Sequence, residues 1–302
     1  MTLSPPVAAR LAEVGLLPGD VQALVEAALA EDLHGGVDVT SVATVPEGQR
    51  STGELVARGA GVVAGLSVAE AVLEVASGGT VRVEAVVRDG DRVARGDVLA
   101  RVAGPTRALL TGERTTLNLL CHLSGVATLT RRWVDAVAGT GAQVRDTRKT
   151  TPGLRALEKY AVRCGGGVNH RMSLSDAALV KDNHVVAAGG VVPAFAAVRD
   201  RWPGLLVEVE VDSLEQLAEV LEAGADLVLL DNMPPDLLRA AVGLTAGRAR
   251  LEASGGLTLD SAAEVAATGV DYLSVGALTH SAPVLDIALD LAAAGSPADG
   301  SP

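Results

Sequence analysis

The hydrophobic positions change period three times along the chain. Between residues 19 and 33 (GDVQALVEAALAEDL), apolar side chains at 21, 24, 25 and 28 form one stripe. That spacing predicts an amphipathic helix with Asp20 as its N-cap. From 51 to 103 the pattern shortens. GELVARGAGVVAG and TVRVEAVVRDGDRVARGDVLARVAG are valine-rich stretches cut by glycines and Asp-Gly turns, and they predict a small β-sandwich. A helical pattern then runs without proline from Thr111 to Val137, apolar at 117, 119, 120, 123, 126, 127, 129 and 134. It predicts one long helix bridging two domains.

From 143 onward the rhythm is strand, loop, helix. QVRDT, ALVKDN, LLVEVEV, DLVLLDN, RLEASGG and DYLSVG are apolar runs of strand length. Amphipathic helices are predicted at 213–223, 235–243 and 260–268, two of them opening with capping-box spacing (Ser213 with Gln216, Ser261 with Glu264). The last four strands recur every 21 to 23 residues. Such alternation gives a parallel sheet with helices outside, and the length suits a β/α barrel, although six strands read clearly where a complete barrel has eight. The chain is divided accordingly: an N-terminal β-sandwich domain over 1–115, a β/α-barrel domain over 116–290, and a flexible tail over 291–302.

Charge narrows the ligand. The chain carries a net −12 and five aromatic residues, so an extended nucleic-acid or anionic-membrane surface is not expected. Cys121 and Cys164 are far apart and form no metal-ligand spacing, and the N-terminus does not read as a signal peptide. These features fit a cytoplasmic protein. The acidity is uneven. Arg145 to His184 holds eight basic and four acidic residues, a local +4 in a chain whose remainder is −16. All three lysines, Lys149, Lys159 and Lys181, fall in that window. A local basic patch on an acidic protein suits a small anion.

In a β/α barrel, function gathers at the carboxyl ends of the strands. Here those ends read Thr147-Arg148-Lys149, Lys181-Asp182-Asn183, Glu210, Asp231-Asn232, Ser254-Gly255-Gly256 and Gly276. Arg148, Lys149, His170, Arg171 and Lys181 can hold carboxylates or phosphates. Glu210 and Asp231 are acceptors for sugar hydroxyls or magnesium. The Ser254 and Gly276 turns can bring backbone N–H groups to a phosphate. Arg114, in the first turn of the long helix as predicted, opposes the helix dipole and so suggests another use. Glu208 and Glu210 share a strand face, and one of them can pair with Lys181 inside the barrel. Lys159 and Arg163, four apart beside Glu158, read as a solvated helix face.

The run DTRKTTPGLRALEKYAVRCGGGVNHRMSLSDAALVKDNH resembles the signature of the quinolinate phosphoribosyltransferase family. EDLHGGVDVTS, GERTTLNLLCHLSGVAT, VEVEVDS, LLDNM, EASGG and SVGALTHS match it in the same order, over roughly residues 30–290. The resemblance implies an N-terminal open-faced sandwich of α+β type joined to an incomplete, seven-stranded β/α barrel. It implies formation of nicotinate mononucleotide, pyrophosphate and carbon dioxide from quinolinate and phosphoribosyl pyrophosphate, a step of NAD biosynthesis, with magnesium carried by the pyrophosphate substrate. Arg114, Arg148, His170, Arg171 and Lys181 would line the quinolinate pocket. Lys149, Glu210, Asp231, Ser254 and Gly276 would serve the phosphoribosyl half, with Thr147, Gly255, Gly256, Val275 and Ala277 beside them. Catalytic roles would fall to Lys149, Lys181, Glu210 and Asp231. Arg114 would reach into a neighbouring subunit's site, which implies a homodimer with shared sites, hexamers remaining open. Two other enzymatic readings stand beside it: a barrel aldolase using Lys181 as a Schiff-base nucleophile, and a diverged paralogue such as the related molybdenum-associated protein. A lipoyl-type carrier, suggested by DGDRVARGDVLARV, is excluded because residues 1–148 hold no lysine.

Overall fold

Along the chain of the computed structural model, which describes residues 2–292, three helices come first: α1 (Pro5–Glu13), α2 (Pro18–Leu33) and α3 (Val39–Thr44). A strand-rich stretch follows: β1 (Arg50–Ala57), β2 (Gly61–Val62), α4 (Leu66–Ser77), β3 (Arg82–Ala85), β4 (Arg92–Val93) and β5 (Val98–Pro105). Then come α5 (Thr106–Ala136), β6 (Gln143–Arg145), α6 (Arg155–Cys164), β7 (Ala178–Val180), α7 (Asp182–Ala188), α8 (Val191–Arg201) and β8 (Val207–Val211). The remainder is α9 (Leu214–Glu222), β9 (Leu227–Asp231), α10 (Pro235–Thr245), β10 (Arg250–Ser254), α11 (Ala262–Ala266), β11 (Tyr272–Ser274), α12 (Ala277–His280) and β12 (Ile287–Leu291). The expected tail lies outside the described residues from 293 onward.

Two compact units emerge. Of the described residues, the first gathers 2–128, 156–165 and 282–292; the second gathers Leu129–Arg155 and Gly166–Ser281. In the first unit an antiparallel sheet in the order β12-β1-β5-β3 has α4 packed against β3 and β5, with α1 and α2 against α4. One sheet face therefore meets helices, an open-faced α+β sandwich. Leu55, Leu99 and Leu120 are essentially fully buried in its core, and each contributes roughly 1.5–3 kcal/mol of transfer free energy. α4 was not expected from the sequence. Leu66, Val68, Ala69, Ala71, Val72 and Leu73 are all buried, and the polar stripe of Ser67, Glu70, Glu74 and Ser77 is masked in the sequence because it lies among valine-rich stretches that read as strands.

Several boundaries depart from expectation. α2 begins on Pro18 with Leu17 as N-cap, so Asp20 lies inside the first turn. Proline suits that position, where its missing N–H has no partner to lose. α5 begins at Thr106 rather than Thr111, which places Arg114 beyond the first turn and removes the dipole argument for it. Ser213 caps α9 by accepting from Gln216 N–H, but Ser261 does not cap α11; its hydroxyl donates to Thr258 O instead. Lys159 is fully buried, as is Glu158, and only Arg163 of the expected solvated face is exposed. Glu158 Oε1 meets His122 Nε2 at 2.9 Å, one of the contacts that a carboxylate buried in α6 requires.

The second unit carries the six strands read from the sequence. They form one parallel sheet in the order β6-β11-β10-β9-β8-β7. The seventh position is a single parallel bridge between Val168 and Arg145 beside β6. Contacts across the interior show that the sheet curls: Arg145 of β6 reaches Glu252 of β10, and His170, just past the bridge, reaches Glu208 of β8. Charged residues at alternate strand positions face this interior while the valines of β8 are buried. Helices α8, α9 and α10 pack in sequence outside the strands.

Candidate active site at the strand ends

The carboxyl ends of these strands surround a cavity of about 840 Å³. Every site residue named from the sequence lines it except Arg114, which is exposed on α5 in the first unit. One wall is cationic: Arg148 and Lys149 after β6, His170 and Arg171 after the Val168 bridge, and Lys181 at the end of β7. Glu210 at the end of β8 and Asp231 at the end of β9 face it. Thr147, Ser254, Gly255, Gly256, Val275, Gly276 and Ala277 complete the turns that were expected.

Local geometry explains how each group is held. Thr147 Oγ1 accepts the Lys149 N–H at 3.0 Å, and Thr279 Oγ1 donates to the Lys149 carbonyl at 2.8 Å. The Lys149 backbone is thus pinned on both sides while its ammonium stays exposed. A Cβ on Gly276 would come within 2.9 Å of Lys149 Cδ, so glycine leaves the lysine its path. Lys181 Nζ donates to Glu210 Oε2 at 3.0 Å, and the Lys181 N–H donates to His184 Nδ1 at 2.9 Å. Glu210 is therefore the strand carboxylate that pairs with Lys181.

The acidic side is held just as locally. Asn232 sits at φ 54° and donates from Nδ2 to Asp231 Oδ2 at 2.7 Å. Gly255 has φ +91°, and a Cβ there would lie 2.2 Å from Asn232 Oδ1; only glycine fits both the angle and the contact. Asn232, Asp182 and His280 also line the cavity. No role was assigned to them from the sequence. Asn232 was visible in the strand-end dipeptide, and its left-handed backbone is one that asparagine tolerates.

Electrostatics favour an anion. Burial depresses the proton affinity of Arg171, and the nearby Arg148 charge depresses it further. Two guanidinium groups therefore repel one another in one corner. Arg148 Nε is buried with no hydrogen-bond partner, a donor waiting for an acceptor. Below this corner, burial and the charge of Glu208 raise the proton affinity of Glu252, with Arg145 opposing that rise. Glu210 and Asp231 offer hard carboxylate oxygens of the kind magnesium prefers, but only two of them. That donor set suits a magnesium ion arriving with a phosphate ligand rather than one caged by protein.

The chain is similar to proteins of one family over most of its length. The model of the quinolinate phosphoribosyl transferase C-terminal domain matches residues 126–290, and that of the N-terminal domain matches 38–124. A nicotinate-nucleotide pyrophosphorylase [carboxylating] of Mycobacterium leprae (strain TN) is 57% identical over 268 residues, covering 87% of this chain and 94% of that protein. A probable enzyme of the same name from Bacillus subtilis (strain 168) is 43% identical over 264 residues, covering 86% and 90%. The crystal structure of NadC from Streptococcus pyogenes superposes with a TM-score of 0.88 at 42% identity, over 92% of this chain and 98% of that one. Among the described residues no helix is long and apolar enough to cross a membrane.

Proposed function

Because the chain belongs to the quinolinate phosphoribosyltransferase family, we propose that it joins quinolinate to phosphoribosyl pyrophosphate, releasing pyrophosphate and carbon dioxide and leaving nicotinate mononucleotide. The observation that carries this reading is the cationic corner at the strand ends, with Arg148 and Arg171 in mutual repulsion and a buried guanidinium nitrogen lacking an acceptor. Quinolinate is a dianion of adjacent carboxylates. Its desolvation is offset only where fixed cations replace its water.

Arg148, Arg171 and Lys181 hold the carboxylates, with His170 on the same wall. Lys149 reaches the phosphoribosyl half, where the turns at Ser254, Gly255, Gly256 and at Val275, Gly276, Ala277 present backbone to phosphate. The ring nitrogen attacks the anomeric carbon and needs no general base, since its lone pair is free. As the bond from the anomeric carbon to the pyrophosphate oxygen breaks, positive charge develops on the ribose carbon. Glu210 and Asp231, which line the cavity, would stabilise it. Magnesium, bound to the pyrophosphate and met by Glu210 and Asp231, would neutralise the leaving group. The ribosylated ring is a pyridinium and accepts the electron pair left when the adjacent carboxylate departs as carbon dioxide; the carbon then takes up a proton.

Arg114 lies outside the cavity of its own chain. We assign it to the site of a second copy, so that the working form is at least a homodimer. The free cysteines fit a cytoplasmic setting. Carbon dioxide release from quinolinate tests the reaction. It should require both phosphoribosyl pyrophosphate and magnesium, and release without the sugar phosphate, or none with it, would overturn the assignment. For the shared site, Arg114→Ala and Lys181→Ala proteins should each be inactive and regain part of the activity when mixed. No recovery after demonstrated subunit exchange would remove the shared site.

A further inference from the structure

Beneath the cationic corner lies a layer of charge that the reaction as described does not use. Arg145 Nη1 donates to Glu252 Oε2 at 2.5 Å, and its guanidinium stacks on Tyr272 at 4.5 Å from the ring centre. His170 Nε2 lies 2.6 Å from Glu208 Oε2 and 3.7 Å from Glu252 Oε1. The carboxylates are 2% and 0% exposed and the His170 side chain 9%. The three side chains place ligand atoms within 4.8 Å of one another, which would suit a metal ion. Glu208 Oε1 and Glu252 Oε1 have no hydrogen-bond partner, but Arg145 on Glu252 Oε2 already supplies positive charge in the place a cation would bring it.

The hydrogen bonds of His170 point elsewhere. The Arg171 N–H donates to His170 Nδ1 at 2.7 Å. Nδ1 is therefore the acceptor and Nε2 carries the hydrogen, which it donates to Glu208. The His170 N–H is held in turn by Asp146 Oδ1 at 2.8 Å, and Arg171 Nη1 donates to the Ala177 carbonyl at 2.8 Å. Both ring nitrogens of His170 are committed within the protein although the ring lines the cavity.

We propose that Glu208, seated beside the Arg145–Glu252 pair, is a positioning residue that acts through His170 to fix Arg171 opposite Arg148, and that His170 orients this clamp rather than binding a substrate carboxylate itself. Like charges in the clamp repel, so without a tether the two guanidinium groups drift apart when no anion lies between them. Two neighbouring carboxylates on a rigid ring need two cations at a set separation. The tether fixes the Arg171 main chain while the Ala177 carbonyl holds its guanidinium, so the cation is in place before the substrate arrives, which lowers the ordering cost of binding. This inference rests on the reading of the site as a quinolinate site for its kinetic arm only.

Two measurements decide it. Ring nitrogen resonances of His170 in the labelled free protein should show Nε2 protonated and Nδ1 bare near neutral pH. A doubly protonated ring, or a hydrogen on Nδ1, overturns the tether, and this arm needs neither turnover nor a variant that folds. In a Glu208→Met protein, which removes the acceptor at similar volume, and which keeps the thermal transition of the parent, KM for quinolinate should rise about tenfold or more, with KM for phosphoribosyl pyrophosphate nearly unchanged. Equal shifts in both constants, or no shift, overturn the positioning role. Should the parent not turn quinolinate over, the proposed reaction falls while the nitrogen resonances still decide whether the tether exists.

Discussion

The two ends of the barrel sheet are built from the same strands and treat charge in opposite ways. At the amino ends, charged side chains find partners close by. Arg250 Nη1 donates to Tyr272 Oη, Asp271 Oδ2 accepts the Leu251 N–H, and Arg248 Nη1 pairs with Glu222. At the carboxyl ends the Arg148 guanidinium keeps a buried nitrogen unpartnered, Arg171 is held beside it against repulsion, and the Lys149 ammonium is exposed. A smaller hollow at the amino ends, about 430 Å³ and lined by Asp226, Arg248, Arg250 and Asp271, has the Arg248, Arg250 and Asp271 side chains already hydrogen-bonded. The difference teaches that charge is not the mark of a site; unmatched charge facing a cavity is.

Substitutions sharpen that contrast. The largest effect is expected from Lys149→Ala, which should lower turnover by about 100-fold or more while leaving the thermal transition nearly where it was, because an exposed side chain contributes little to folding. Normal turnover in this variant would contradict the placement of the sugar phosphate. Next, Asp271→Asn at the opposite end should reverse the pattern. It weakens a charge-assisted bond to Leu251 N–H and should cost about 1–2 kcal/mol of stability, read as a lower melting temperature, with both KM values preserved. A loss of activity without a loss of stability would show that the two ends are not separate.

The smallest effect is electrostatic. Burial alone would raise the Asp176 carboxyl, yet N–H donors from Met172 and Ser173 hold it below its ordinary value of 3.8. A depressed carboxyl favours the fold above that value, and the benefit is lost as pH falls through the folded-state value. Acid unfolding of Asp176→Asn compared with the parent should differ above pH 3.8 and converge as pH falls through the lower folded-state value. Curves that instead separate on acidification would show the sign to be wrong.

How much of this was legible beforehand follows from which contacts are local. Buried parallel strands are apolar runs that must end in something polar, so β6 to β11 and their terminal residues could be read directly, and all the named residues but Arg114 gather at one cavity. β12 escaped because its pairing with β1 joins Gly53 to Leu291 across most of the chain. The seventh barrel position escaped because it is one bridge at Val168 rather than a run. Lys159 was misjudged because its helix is buried on nearly every side, from Leu157 to Val162, and charge spacing says nothing about what surrounds a helix. The His170 tether was hidden for a related reason: Glu208, Glu252 and Arg145 meet only when the sheet curls.

The central claim is that the carboxyl-end cations, and not the chain's basic residues in general, neutralise the aromatic diacid. Its most direct test is kcat/KM for quinolinate-dependent carbon dioxide release in Arg148→Ala beside Arg248→Ala. The mouth variant should fall by about 100-fold or more and the amino-end variant should stay close to the parent. Comparable losses in both, or none in Arg148→Ala, would contradict the account.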